Sequence, residues 1–253
     1  VAAPSWEAKG TYFEDSGITS ANFAVPAGVT ANKVVVVSAF INGSIAINSL
    51  PTGFQHAEGS PISVIGAGAH SLAVCWKRAT GNDSGTYNFG LDGSTFVAGI
   101  AELFNTCVLT GTPLDSPTDS ASSSTDSSVT PPVDIDTKGP DRLVLHRGTI
   151  WSGGSWTPPV GFSERVDQGF GHIICSDKEF PSTINTGSIT ATSTGNDKRA
   201  AWIGALIGTT VGGTLASISD EARSNMLAEL GISEPQNKSN TDLMRDYYYR
   251  DGC

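Results

Sequence analysis

Basic residues are scarce in this chain and nowhere clustered: 15 Lys and Arg stand against 25 Asp and Glu, a formal net charge of -10. A surface that neutralises phosphates needs a basic patch or stripe, so nucleic acid is not an expected partner. Long apolar runs are missing too. No stretch approaches the ~18 uninterrupted apolar residues that a bilayer-spanning helix requires, so no membrane segment is expected. Val1–Trp6 has neither the basic nor the apolar region of a secretory signal, although a signal already removed is compatible with this. Cysteine is limited to Cys75, Cys107, Cys175 and Cys253, with no C-x-x-C pair. An even count in a chain of 253 residues does not demand bridges. Cys75 and Cys175, each on a strand pattern, are expected to be buried and reduced; Cys253 is the plausible intermolecular thiol.

Catalytic signatures are lacking as well. There is no G-x-S-x-G, no H-E-x-x-H, no G-x-x-x-x-G-K-[ST], and no G-x-G-x-x-G entering a helix. His56, His70, His146 and His172 are scattered, with no pair at metal-ligand spacing. Asp134-Ile135-Asp136 puts two carboxylates on one face of an extended segment, where they either meet a Ca²⁺ or line a solvated strand edge; the edge is the expectation. Glu58, Glu102, Glu164 and Asp167 are acids available for glycoside hydrolysis, but no spacing sets one opposite another. The residues themselves single out no catalytic group, no metal site and no cofactor motif.

What the chain does have is a repeat. Leu50-Pro51-Thr52-Gly53-Phe54 returns as Pro158-Pro159-Val160-Gly161-Phe162. Upstream, Lys33-Val34-Val35-Val36-Val37 is answered by Arg142-Leu143-Val144-Leu145; downstream, Ala73-Val74-Cys75 is answered by Ile173-Ile174-Cys175. Gly85–Phe89 matches Gly187–Ala191, and each copy closes on a small-residue strand, Phe96–Ala101 and Ala201–Leu206. Five features in one order, with similar gaps, imply two copies of one β unit, about 33–109 and 133–207. With 29 glycines and only 16% charged residues, the composition suits many short strands and tight turns. Gly10–Phe13 and Asn22–Val25 are further strand candidates, and Asn42-Gly43 reads as a hairpin turn. Within each Pro-x-Gly-Phe, proline and glycine set the turn and phenylalanine starts an inward face, so Phe54 and Phe162 are expected in the core. Trp76 and Trp202 are expected as core or rim aromatics. Thr110–Pro132, rich in Ser, Thr, Asp and Pro, is expected to be an exposed crossover between the halves.

After Ile207 the pattern changes. Ser219 caps a helix with Asp220 and Glu221 in its first turn and Gly231 as its stop; Met226, Leu227 and Leu230 fall on its apolar side. A second start at Ser239–Asp242 leads to Leu243, Met244, Tyr247 and Tyr248. The expected architecture is therefore all-β over 1–214, a jelly-roll-like sandwich of two repeated units, followed by a C-terminal helical hairpin over 215–253. Both apolar stripes need a partner surface: folding back on the chain's own sandwich would satisfy them, and otherwise these seven residues are candidate attachment or self-association contacts. The one surface-binding candidate in the β region is Ile150–Trp156, a Ser/Gly loop carrying Trp151 and Trp156. Their ring faces are suited either to stacking on a sugar or to capping the second half.

The segment Trp156-Thr157-Pro158-Pro159-Val160-Gly161-Phe162-Ser163-Glu164-Arg165, the paired Pro-Gly-Phe turns and the closing strand Ala200–Leu206 resemble β-sandwich virion proteins of tailed phages, particularly those of phages infecting actinobacteria. The tail segments Met226–Gly231 and Asn240–Arg245 are similar to short C-terminal modules on such proteins. The resemblance implies a non-enzymatic virion structural protein, a minor tail protein, located on the particle and working through contacts with other virion proteins and with its own copies. Capsid decoration, and receptor binding through a host surface glycan, are the alternatives it leaves open.

Overall fold

The computed structural model describes residues 2–115, 117–167 and 171–209. The helical hairpin expected over 215–253, with the candidate contacts Met226, Leu227, Leu230, Leu243, Met244, Tyr247 and Tyr248, lies outside them. The described residues are all-β, and none of them forms a helix. They make two antiparallel sheets, each drawn from one contiguous stretch of chain.

The first sheet holds β1 (Ser5–Lys9), β2 (Phe13–Ala24), β3 (Val34–Asn42), β4 (Ile47–Ser49), β5 (Gln55–His56), β6 (Ile62–Val64), β7 (His70–Arg78) and β8 (Thr86–Asn105). The second holds β9 (Asp119–Val129), β10 (Arg142–Ile150), β11 (Trp156–Thr157), β12 (Ser163–Asp167), β13 (Ile173–Phe180) and β14 (Thr192–Ile207). Their central orders match. β5-β7-β3-β8 in one is β12-β13-β10-β14 in the other, with β4 and β11 in corresponding places and β2 and β9 on corresponding edges. The units legible in the sequence, about 33–109 and 133–207, hold the central strands of each sheet, while β1, β2 and β9 lie outside those bounds.

Both copies build their turn alike. Phe54 N–H donates to Pro51 O at 3.0 Å and Phe162 N–H to Pro159 O at 2.9 Å. Gly53 (φ 84°) and Gly161 (φ 77°) occupy the third turn position, where positive φ favours glycine. Each phenylalanine then packs on the outer face of its own sheet. Above it sits the ammonium of a lysine from the neighbouring strand: Lys77 lies 5.6 Å from the Phe54 ring, Lys178 6.0 Å from that of Phe162.

Strand register fixes the equivalences more finely than residue type does. Val36 pairs with Trp76 and Glu102, while Leu145 pairs with Asp177 and Gly204. Val74 is therefore the counterpart of Cys175, and Cys75 that of Ser176. The sequence match of Cys75 with Cys175 is one residue out of register, and in a strand one residue reverses the face. Cys75 packs on the outer side of its sheet and Cys175 between the sheets. Both are buried and unbridged, as is Cys107.

Residues 119–129 correct the expected crossover. They are exposed or half-exposed as expected, but they form a strand, β9, hydrogen-bonded along β14. The apolar poverty that argued against structure does not forbid an edge strand, which needs ladder bonds to one neighbour only. Serine and aspartate on its free side discourage pairing with another chain.

Alternation along the strands sorts the core into layers. Val34, Val36, Leu72, Val74, Ile100 and Phe104 of the first sheet meet Leu143, Leu145, Ile173, Cys175, Trp202 and Leu206 of the second. The intervening residues Val35, Val37, Ala39 and Ile41 face the other way, under Phe23, Phe89 and Leu91 where the 20-residue β8 runs on with β2. Val144, Ile203 and Ala205 are covered by Val133 and Ile135. A continuous apolar run such as Val34–Val37 is what a strand covered on both faces requires.

Candidate functional site

Two features use polar chemistry where the sheets meet: an ion pair at their centre and an aromatic cleft near one end. The central pair forms because both repeats place a side chain at the same depth. Glu102 stands on the inner face of β8 beside Ile100 and Phe104, and Arg147 on the inner face of β10 beside Leu145. Both are wholly buried, with Arg147 Nη2 2.7 Å from Glu102 Oε2. The contact is charge to charge rather than an aligned hydrogen bond, since its angle misses hydrogen-bond geometry. Arg147 also donates through Nε to Ser38 Oγ (3.1 Å) and through Nη1 to the carbonyls of His146 (3.0 Å) and Ser176 (2.9 Å). Burial pushes the Glu102 carboxyl up, against the pull of Arg147. By register the counterparts are small: Ser38 answers Arg147 and Gly204 answers Glu102. Arg147 thus packs on its own small counterpart, Ser38, across the two sheets.

The cleft is lined by Phe40, Asn42, Phe96, Trp151 and His172 and has a volume of about 290 Å³. Phe40, buried at the end of β3, is stacked between two imidazoles, His70 at 4.9 Å and His172 at 4.8 Å between ring centroids. Phe96 meets His172 edge-on at 5.1 Å. Trp151, half-buried just past β10, leans toward Phe40 at 6.3 Å, and the backbone of Gly68 lies against its indole. Each histidine has its tautomer set by a carbonyl that can only accept: His70 Nδ1–H donates to Gly68 O (3.0 Å) and His172 Nδ1–H to Ile150 O (3.2 Å). In the neutral rings Nε2 is then the acceptor, and His70 Nε2 takes the Thr149 hydroxyl proton at 3.2 Å.

The two tryptophans expected to share a sugar-stacking loop part company. Trp151 lines the cleft. Trp156 is only 5% exposed, with its indole N–H bonded to Gly171 O and the Arg199 guanidinium 5.1 Å from its ring, so it offers no open face. Sequence reading missed Asn42, Phe96 and His172, which come from distant parts of the chain. One signal was available: the register that equates Val36 with Leu145 equates Asn42 with Trp151. Both repeats thus bring the residue at the end of their central strand to this cleft.

Elsewhere the titratable groups serve structure. Arg165 grips Asp177 through Nε (2.7 Å) and Nη2 (2.9 Å) and lies over the Trp6 ring. Lys77 pairs with Asp83. Asp167 accepts the Trp156 backbone N–H (3.1 Å), and Asp136 the Asn185 amide (2.6 Å). Burial and the nearby Asp167 push the Glu164 carboxyl up. The nearest thing to a nucleophile–base pair is Cys75, whose Sγ is 3.3 Å from His56 Nδ1. Burial pushes that thiol up to about 12, which keeps it protonated and poorly nucleophilic. Among the described residues no three His, Cys, Asp or Glu side chains group to hold a metal.

Two buried histidines make stability pH-dependent. Burial lowers His70 to about 4 and His146 to about 3, the latter helped by Arg147 beside it. An unfolded histidine takes up a proton below ~6.5 while the folded ones stay neutral, so the unfolded state binds more protons as pH falls. The stability contribution is whole above ~6.5 and drains away toward the folded values, by up to ~2 kcal/mol per histidine at pH ~5. The raised carboxyls of Glu102 and Glu164 act in the opposite sense, so the histidine contribution is read as a difference: from pH 7.5 to 5 the melting transition should fall more in the parent than in His146→Gln. An equal change in both contradicts burial of a neutral imidazole at His146.

The chain matches no protein family, no curated protein and no solved structure with which it was compared.

Proposed function

We propose that this protein is a non-enzymatic structural component of a tailed-phage particle, a minor tail protein that assembles through contacts with other virion proteins and with copies of itself. The observation carrying this reading is the doubled sheet: the Pro-x-Gly-Phe turn of the virion-protein resemblance recurs in both repeats with the same hydrogen bond and the same overlying lysine. A body whose interior charges cross-link its own two faces suits mechanical work. In this proposal the sheets form a jelly-roll-like sandwich in the sense of two facing antiparallel layers, each layer remaining a single repeat. Residues 215–253 are its attachment segment.

Antibody raised against residues 2–209 tests the placement on gradient-purified particles viewed by electron microscopy. Label on the tail is expected. Label confined to the capsid shell transfers the role to capsid decoration, and protein found only in the particle-free supernatant removes the virion reading altogether. A chain ending at Gly213 is expected to fold but to fail to join particles lacking the protein. Normal incorporation of that shortened chain contradicts attachment through 215–253.

A further inference from the structure

We infer that the cleft between the ends of β3 and β10 is a subsite for one neutral sugar ring. This does not depend on where the protein sits on a particle, because it rests on the cleft alone.

Size limits the ligand first. A volume of about 290 Å³ lies at the lower edge of the ~300–1,000 Å³ of ordinary ligand pockets, which suits one ring and not a folded chain. Charge limits it next. No Lys, Arg, Asp or Glu is among the five lining residues, so a phosphate or carboxylate meets no lysine or arginine there; the Asp197 carboxylate stands outside the lining, on the Gly68 side of Trp151. Phe40 is buried, so the half-exposed aromatic walls are Phe96 and Trp151, whose ring faces complement the apolar C–H face of a pyranose. What separates a sugar from a purely apolar guest is the polar equipment at the rim. The Asn42 side-chain amide makes no hydrogen bond among the described residues, leaving donors and an acceptor for hydroxyl groups. His172 has Nδ1 committed to Ile150 O, so Nε2 is the acceptor for a hydroxyl proton.

The site is also pre-organised. Phe40 is held by stacking on His70 and His172, and Trp151 is backed by Gly68, whose φ of 74° favours glycine and whose added Cβ would lie a tight 3.2 Å from the indole Cγ. Rings held by packing lose little freedom when a ligand binds. Both repeats contribute, Asn42 and Phe96 from one and Trp151 and His172 from the other, so the cleft exists only when the sheets are docked.

The test uses the full chain. Methyl pyranosides of glucose, galactose, mannose and N-acetylglucosamine are titrated to millimolar concentration while the Trp151 indole N–H is followed by NMR, with tetramethylammonium as a cation control. At least one glycoside is expected to shift that resonance saturably. Asn42→Ala, which leaves the aromatic stack in place, should weaken binding roughly tenfold, the value of one hydrogen bond. Trp151→Ala, followed through the His172 ring signals, should abolish it with the melting transition retained. If either variant no longer melts like the parent, Phe96→Leu and His172→Gln supply the same comparison. No saturable glycoside, binding indifferent to these replacements, or saturation by tetramethylammonium in place of sugars overturns the assignment.

Discussion

Replacing Glu102 with alanine is expected to destabilise the protein by about 3–5 kcal/mol, because it strands the Arg147 guanidinium between the sheets without its counter-charge. Arg147 is fully buried, and its remaining partners are a hydroxyl and two carbonyls, which hydrogen-bond a cation but do not neutralise it. Urea unfolding measures the loss. The companion experiment is the double replacement Glu102→Leu with Arg147→Met, which removes both charges at similar volume. Buried pairs replaced in this way are often neutral or better, so the double variant should recover most of the stability lost in the single one. If Glu102→Ala costs less than ~1 kcal/mol, the charge is not desolvated as described. If the double variant is as weak as the single one, packing rather than charge holds the sheets in register.

Trp202→Ala is the second large effect, about 3–5 kcal/mol, the usual range for emptying a large aromatic site. Trp202 is fully buried in the layer between the sheets, and its indole N–H donates to Glu58 O at 2.9 Å. Its ring also fills the space that a side chain on the next inward residue of its strand would need. A Cβ on Gly204 would come within 2.4 Å of the indole. Alanine at 202 therefore opens a cavity bounded on one side by Gly204, which has no side chain of its own to fill it. Phenylalanine at 202 should recover about half of the loss. A Trp202→Ala variant within ~1 kcal/mol of the parent means that the layers collapse onto the void, and that the interlock of large and small residues is looser than described.

How much of this was legible beforehand follows from what each signal measures. The repeat was readable because turn chemistry is local: proline, glycine and phenylalanine at fixed spacing specify one turn wherever they occur. The core phenylalanines Phe54 and Phe162 followed from it. Register was less readable, because a strand carries its face information in parity alone; matching Cys75 with Cys175 by type gave the wrong parity. β9 was hidden since an edge strand of Ser123, Ser124 and Thr125 and their neighbours looks by composition like a loop, and only its partner β14 makes it a strand. Trp151 and Trp156 looked equivalent because a five-residue spacing in a Ser/Gly loop says nothing about which ring turns inward. The cleft was invisible except for Trp151, since Phe40, Asn42 and Phe96 come from the opposite repeat and His172 from a distant part of its own.

Both the ion pair and the cleft require that the two repeats behave as one body. Native-state hydrogen exchange on the intact chain measures this directly. Protected amides of β3 and β8 in one sheet, and of β10 and β14 in the other, are expected to exchange with the same opening free energy, equal to that of global unfolding. Amides of β10 and β14 exchanging through a separate opening, lower by ~2 kcal/mol or more, would show that the second sheet unfolds while the first stays folded, and would contradict the account.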